Sequence, residues 1–196
     1  MIYKDFQNIS LSRLGMGNMR LPTRLGKIDE KKAQEIIDYA MDQGINYYDT
    51  AYVYHSGKSE SFLGKALKKY PRNSYYLATK FYVMANPDIE AVFEEQLRRL
   101  DTDYIDFYLL HCVNEETIGA YMDKNRHYLE FLKEQKEKGR IRHIGFSSHG
   151  KPETLQRFLE WGGDCFEFVQ IQLNYLDWTM QNAKRQYEII TDFPSG

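Results

Sequence analysis

Short apolar segments of strand length alternate with amphipathic segments of helix length along almost the whole chain. After an opening segment that pairs as a hairpin or leads into a first strand, strands are predicted at 45–49, 75–80, 104–110, 141–147 and 166–173. Helices are predicted at 29–43, 58–69, 126–138 and 179–191. A further helix is predicted after Pro87, with an apolar face of Ile89, Val92, Phe93, Leu97 and Leu100, and another from Pro152 to the glycine pair at 162–163. Strands that alternate with helices in this way form parallel βαβ units whose helices cover the sheet.

The predicted helices carry their apolar residues on one face and end at residues that break a helix. In the first of them, the inward face is predicted to hold Ala33, Ile36, Ile37, Ala40 and Met41. Gly44 follows this helix, Gly139 closes a later one, and Pro152 opens the next. The sequence is therefore divided into a regular series of βα units.

Two architectures accommodate such a series, a doubly wound Rossmann sheet and a (β/α)8 barrel. A Rossmann sheet needs a glycine-rich turn after its first strand, but the segment from Gly15 to Arg20 has arginine where the third glycine belongs. A barrel instead places its chemistry at the carboxyl ends of many different strands. We therefore expect an α/β fold of the (β/α)8 TIM-barrel type, incomplete, with about six of the eight βα units.

Reactive side chains recur where the predicted strands end. They are Asp49, Lys80, His111, Ser147, and either Gln170 or Gln172. Taken singly, the aspartate is more often a cap, the lysine a solvated strand end and the histidine a hydrogen-bonded core residue. Because the strands of a barrel converge on one mouth, the recurrence favours a shared pocket instead.

The composition excludes several classes of function. Lysine and arginine total 26 against 28 acidic residues, and the charges are interspersed, so neither nucleic acid nor a membrane is expected as a partner. The apolar runs are too short for a transmembrane helix, and the amino terminus lacks the features of a signal peptide. Cys112 and Cys165 lie far apart, which predicts reduced thiols, no metal site and a cytoplasmic location. Residues 1–196 are expected to form a single domain.

Three motifs, in order, carry four residues at positions that resemble those of the aldo-keto reductases. GINYYDTAYVY supplies Asp49 and, five residues later, Tyr54; LATK supplies Lys80, and YLLH supplies His111. The resemblance extends from about residue 14 to residue 174, and GRIRHIGFSSHG and VQIQLNYLD are most similar to the branch that usually ends in a ferredoxin-type iron–sulfur extension. It implies an NAD(P)H-dependent oxidoreductase that reduces a small aldehyde or ketone to an alcohol by hydride transfer.

The resemblance also implies a role for each of the four residues. Charge builds on the carbonyl oxygen as hydride adds to the carbon, and Tyr54 would donate the proton that neutralises it. A phenol has an ordinary pKa of about 10, so a nearby cation is needed near neutrality, and Lys80 would supply it. Asp49 would keep Lys80 charged and oriented, and a neutral His111 would donate an N–H to the substrate oxygen.

Contacts to NADP(H) or NAD(H) are implied after the first, fifth and sixth strands, and at Asp49. The matching positions are Gly17, Asn18, Met19, Asp49, Ser147, Ser148 and Gln170. The family commonly has asparagine after the serine that matches Ser147, whereas this chain has Ser148 followed by His149. Serine lacks the amide group with which asparagine could pair with the carboxamide of the cofactor. Gln170 and Gln172 can alternatively be plain polar residues of a strand.

The sequence ends at DFPSG, after the sixth predicted strand and its helix, which predicts a carboxyl-terminal truncation. Loops after the seventh and eighth strands often hold phosphate groups in such barrels, so weakened cofactor binding is expected. Open sheet edges are expected to favour self-association. The alternative function is a non-catalytic fragment or interaction module derived from an aldo-keto reductase.

Overall fold

The structure is a computed structural model that describes residues 1–180 and 182–193. The strands in these ranges are β1 (Tyr3–Phe6), β2 (Ile9–Ser12), β3 (Met16–Gly17), β4 (Thr23–Arg24), β5 (Lys27–Ile28), β6 (Tyr47–Asp49), β7 (Tyr76–Phe81), β8 (Ile105–Val113), β9 (Ile141–Ser148) and β10 (Phe168–Ile171). The α-helices are α1 (Glu30–Asp42), α2 (Lys58–Leu67), α3 (Ile89–Leu100), α4 (Ile118–Tyr121), α5 (Tyr128–Glu137), α6 (Pro152–Gly162), α7 (Asp177–Met180) and α8 (Ala183–Asp192). Within the same ranges, no helix has both the length and the apolar character that crossing a membrane requires.

The chain divides into two compact units, and the division falls within β7 and within β8. The first unit comprises Met1–Thr79 and Ala91–Phe107. The second unit comprises Lys80–Glu90 and the chain from Tyr108 onwards.

In the first unit, β3, β6 and β7 lie side by side and run parallel. Gly17 pairs in register with Asp49, and Asp49 pairs with Ala78 on its other side. The carboxyl ends of β3 and β6 therefore meet at the same edge of the sheet. β1 and β2 form a separate antiparallel hairpin, so the opening segment contains both the hairpin and the first parallel strand.

In the second unit, β9 lies between β8 and β10, and β9 and β10 run parallel. Gln170 pairs in register with Ser147, and Ile171 pairs with Ser148. Below these positions, Phe146 of β9 packs on Phe158 of α6 with ring centroids 4.9 Å apart. This aromatic contact fixes α6 against the strand that carries the two serines.

Six strands, β3 and β6 to β10, belong to one sheet and are each followed by a helix, which confirms the predicted incomplete (β/α)8 barrel. Three local predictions were wrong. β8 continues to Val113, so His111 lies inside this strand and not at its end. Where one helix was predicted at 179–191, the described residues form the end of α7 and most of α8. Gln181 is not among the described residues. Ile36 is 41% exposed, whereas Ile37 is fully buried.

Candidate active site

The loop after β3 holds a buried amide with one polar atom left open. Asn18 Nδ2 donates to the backbone oxygens of Asp49 (2.9 Å) and Met16 (3.1 Å), and the Asn18 backbone N–H donates to the same Asp49 oxygen at 2.8 Å. Ser59 Oγ donates to the Asn18 carbonyl at 3.0 Å. Asn18 Oδ1 is buried and has no hydrogen-bond partner within the described residues. The amide is therefore held rigidly, with its acceptor available to a ligand N–H.

The neighbouring positions in this loop leave room for a ligand. A Cβ added to Gly17 would meet no atom within 4 Å, and Met19 is 56% exposed. Asp49, at the end of β6, is partly buried. Of the cofactor positions predicted in the first unit, the structure thus brings Gly17, Asn18 and Asp49 together at one edge, whereas Met19 projects its side chain to the surface.

Tyr54 lies in a turn, Tyr54–Gly57, that connects β6 to α2. Its backbone N–H donates to the Ala51 carbonyl at 3.1 Å, and the residue is partly buried. The next residue, His55, has a positive φ of 50° and a buried Nε2 with no partner within the described residues. Sequence reasoning missed His55, because nothing in the segment distinguishes it from a solvated loop histidine.

Lys80 and His111 belong to the second unit, on β7 and β8. Lys80 is only 2% exposed, although lysine side chains usually lie at the surface. The His111 carbonyl accepts a 2.6 Å hydrogen bond from the Tyr121 hydroxyl, and the edge of the Tyr82 ring packs on the imidazole. Burial, with the charge of Lys80 and then that of His149, lowers the pKa of His111 to about 3. His111 is therefore neutral at ordinary pH.

Acid is expected to destabilise the chain through His111. The unfolded imidazole takes up a proton below its ordinary pKa of 6.5, whereas the folded one resists protonation until about pH 3, so stability is lost as the pH falls between these values. Over the whole window the loss reaches roughly 5 kcal/mol. Urea unfolding at about pH 7 and about pH 4 should show a smaller loss for His111→Gln than for the wild type. Equal losses in the two proteins would contradict this assignment.

Ser147 and Ser148 end β9 with different partners. Ser147 Oγ accepts the Cys112 backbone N–H at 2.8 Å, which fixes this hydroxyl against β8. Ser148 is 2% exposed, and its Oγ has no partner within the described residues. Gln170 sits beside Ser147 in register but is exposed. Of the three predicted cofactor positions in this unit, Ser148 is the one that presents an open buried group.

A polar cavity of about 270 Å³ adjoins Ser148, with His149, Gly150, Gln172 and Gln186 as its other lining residues. Burial, and then the charge of Lys80, lowers the pKa of His149, so the lining carries no charge near neutrality. Two amides, a hydroxyl and a neutral imidazole can exchange hydrogen bonds with a neutral polar group such as a carboxamide. Gln186 was not predicted, because it lies on α8, far from any strand end.

Two buried polar atoms bear on whether the chain can hold a nicotinamide nucleotide. Asn18 Oδ1 in the first unit and Ser148 Oγ in the second are buried polar atoms without a partner among the residues described. Such atoms are rare in native proteins and indicate a ligand or an ordered water. Asn18 follows β3 and Ser148 ends β9, and both are positions at which the resemblance implied cofactor contacts. The residues present therefore fit the group.

Comparisons with known proteins bear on the family of this chain. The sequence profile described as "Aldo/keto reductase family" matches residues 13–193. The chain is 34% identical over 168 residues to a probable aldo-keto reductase of Glycine max, covering 77% of this chain and 45% of that protein. It is 29% identical to the NADH-specific methylglyoxal reductase of Escherichia coli, covering 89% of this chain and 59% of the relative. The chain thus spans about half the length of these curated relatives.

A solved structure shares the fold. The holo form of an aldo-keto reductase from Bacillus halodurans superposes with a TM-score of 0.72 at 30% sequence identity. The match covers 95% of this chain and 64% of the other. The fold, the order of the motifs and the family profile lead to one conclusion, that this chain belongs to the aldo/keto reductase family.

Proposed function

We propose that the chain carries the proton-transfer site of an NAD(P)H-dependent oxidoreductase that reduces a small aldehyde or ketone to an alcohol. The observation that supports this most is that Asp49, Lys80 and His111 lie on three successive βα units, those of β6, β7 and β8, each in the carboxyl-terminal half of its strand. Active sites of such barrels are built from the carboxyl ends of several strands.

The proposal assigns each side chain one task. Tyr54 donates a proton to the carbonyl oxygen, and Lys80 stabilises the phenolate that remains. Asp49 balances the charge of Lys80, whose burial would otherwise favour the neutral amine. His111, neutral because of its lowered pKa, donates one N–H to the substrate oxygen.

Cofactor binding is assigned to Gly17, Asn18, Met19, Asp49, Ser147, Ser148 and Gln170. In the first unit, Asn18 Oδ1 would accept a hydrogen bond from an N–H group of the nucleotide. In the second unit, Ser148 Oγ would exchange a hydrogen bond with one of the polar groups of the nucleotide. When bound, a reduced nicotinamide nucleotide supplies the hydride that adds to the carbonyl carbon. The proposal includes a cytoplasmic location, which the free thiols of Cys112 and Cys165 favour.

A carbonyl-reduction assay tests the proposal. The purified chain is mixed with NADH or NADPH and a panel of small aldehydes and ketones, beginning with methylglyoxal because one relative is a methylglyoxal reductase that uses NADH. Carbonyl-dependent loss of reduced-nicotinamide absorbance is the expected result. A folded chain that oxidises neither nucleotide with any carbonyl would contradict the proposal.

A specific observation favours the second candidate, a non-catalytic interaction module. In the second unit, β10 has β9 as its one neighbour among the described strands, and the following segment exposes Leu173, Tyr175, Leu176 and Trp178. An open parallel edge beside exposed apolar side chains favours self-association. Sedimentation that shows concentration-dependent association, together with no nucleotide binding, would select this function over the reductase.

A further inference from the structure

The turn that carries Tyr54 has an unfavourable backbone conformation. His55 and Ser56 both adopt the left-handed region, with φ of 50° and 53°, and Gly57 follows with φ of 81°. Glycine adopts this region freely, but residues with a Cβ do so at a cost, and two in succession are uncommon. Strained turns persist where surrounding contacts determine them, and such turns concentrate at functional sites.

The guanidinium of Arg99 contacts the chain on both sides of Tyr54. Arg99 Nη1 donates to the Tyr52 carbonyl at 3.2 Å, and the guanidinium lies over the Tyr52 ring at 4.5 Å. On the other side, a Cβ added to Gly57 would lie 3.1 Å from Arg99 Nη2. Arg99 therefore packs directly against the turn at residues 52 and 57.

Two carboxylates fix the orientation of the Arg99 side chain. Glu60, whose side chain is fully buried, accepts from Arg99 Nη1 at 3.0 Å, and Glu95 accepts from Nη2 at 2.7 Å. The Tyr52 hydroxyl donates to the other oxygen of Glu95 at 2.9 Å. Because the guanidinium is planar and its donors are fixed in a fork, these bonds leave it little freedom to rotate.

The second oxygen of Glu60 is tied to the carboxyl end of β7. Glu60 Oε1 accepts from Thr79 Oγ1 at 2.5 Å and from Gln96 Nε2 at 2.7 Å. Thr79 is the residue immediately before Lys80 in the sequence. One buried network therefore reaches the Tyr54 turn at one end and the residue preceding Lys80 at the other.

We infer that Arg99, held by Glu60, is a positioning residue for the proposed reaction, because it fixes the strained turn that places Tyr54. The inference rests on the proposed function for Tyr54 and extends it to side chains that do not touch the substrate. Nothing in the sequence motif around Tyr54 indicates it, since Arg99 lies about forty-five residues further along the chain, on α3.

The first unit contains a second buried ion pair of the same chemistry, which serves as a matched control. Arg72 Nη2 lies 2.7 Å from Asp106 Oδ2, and Arg72 Nη1 donates to the Tyr75 carbonyl at 3.1 Å. The same Asp106 oxygen accepts the Leu77 backbone N–H at 2.9 Å. This pair holds the amino end of β7, away from the Tyr54 turn in sequence. Loss of either arginine leaves a buried carboxylate, so both variants are expected to lose stability.

Hydrogen exchange of the free chain separates positioning from stability. In Arg99→Met, backbone amides of residues 53–57 should exchange about tenfold or more faster than in the wild type, because the charged bonds that hold the turn are gone. In Arg72→Met, the same amides should keep the wild-type rate while the chain is mostly folded. Arg99→Lys keeps the positive charge but lacks the planar, forked set of donors of the guanidinium. It replaces Arg99→Met in this test if Arg99→Met does not fold.

Fluorine NMR of the fluorotyrosine-labelled chain reports on Tyr54 itself. The Tyr54 resonance is assigned as the one missing from Tyr54→Phe among the sixteen tyrosines. It should shift or broaden in Arg99→Met and stay in place in Arg72→Met. An unchanged Tyr54 resonance in a folded Arg99 variant, or equal changes in both variants, would overturn the inference.

These readouts need neither nucleotide nor carbonyl, so they answer the question of positioning even where the wild type reduces nothing. Failure of the proposed function would appear separately, as absence of carbonyl reduction in the wild type. In an active chain, Arg99→Met should lower kcat about tenfold or more and leave nucleotide affinity within about twofold of the wild type, since the turn would misplace Tyr54 without touching the cofactor residues.

Discussion

Replacing Tyr54 by phenylalanine is expected to lower carbonyl reduction by about a hundredfold to ten-thousandfold. The substitution removes the one hydroxyl that the proposal uses as an acid and preserves the ring, so the turn and its packing should survive. Charge that develops on the carbonyl oxygen would then have no proton donor in place, and the barrier to hydride addition would rise. Steady-state kinetics of the wild type and Tyr54→Phe with one carbonyl measure the effect, and nucleotide affinity should stay within about twofold.

Tyr76→Phe is the matched control for this prediction. Tyr76 begins β7 in the same unit, and its ring packs edge-on against Phe107 with centroids 6.4 Å apart. Tyr76→Phe also removes one phenol hydroxyl, but at the amino end of β7, whereas the proposed reaction uses residues near the carboxyl ends of strands. This variant should therefore retain wild-type kinetics. If Tyr54→Phe kept full activity, or if both variants lost activity equally, Tyr54 would not be the proton donor.

Truncating Phe158 to alanine is expected to lower the free energy of unfolding by about 3–5 kcal/mol. Phe158 is fully buried and contacts the rings of Phe146 (4.9 Å), Trp161 (5.0 Å) and Phe166 (5.4 Å). The substitution removes apolar area and leaves a cavity that these large rings can fill only in part. A domain typically has about 5–15 kcal/mol of stability in total, so this loss is a large share of it.

Urea denaturation followed by circular dichroism measures this loss. Tyr39→Ala is the control, because Tyr39 is 68% exposed on α1 and its removal should change stability by about 0.5 kcal/mol or less. Because both variants remove one aromatic ring, the difference between them reports the effect of burial on the free energy of unfolding. A loss below about 1 kcal/mol for Phe158→Ala would show that the aromatic cluster does not hold β9 and α6 together.

The fold was predictable because its signals are local and repeat. Pro87 and the spacing of apolar residues after it predicted a helix in this segment, and the structure has α3 there, at Ile89–Leu100. The local predictions that were wrong lie where tertiary contacts override the periodicity of apolar residues. Ile36 has the periodicity of a core residue yet is exposed, and β8 extends past Leu110 because its later residues bond to neighbouring groups, as Cys112 does to Ser147.

The site was predictable only in part. The recurrence of reactive residues near predicted strand ends selected Asp49, Lys80 and His111 as candidates; Asp49 does end β6, whereas His111 lies two residues before the end of β8. The sequence pattern could not show which cofactor positions would present polar atoms without a partner, because the hydrogen-bond partners of each side chain are set by the tertiary fold. Asn18 Nδ2 donates to two carbonyls, whereas Asn18 Oδ1 has no partner in the part of the chain that the structure describes. Likewise, Glu60 is fully buried although it lies in a segment rich in polar residues.

Nucleotide titration of the wild type and Ser148→Ala tests the central claim most directly, that residues after the strands of this chain hold a nicotinamide nucleotide. Removing a buried hydroxyl that has no partner among the described residues should leave stability unchanged or slightly raised, since no hydrogen bond is lost. Fluorescence titration with NADPH and NADH is predicted to saturate for the wild type, with a Kd about fivefold to tenfold weaker for Ser148→Ala. A wild type that does not bind either nucleotide, or a variant that binds as tightly as the wild type, would contradict the account.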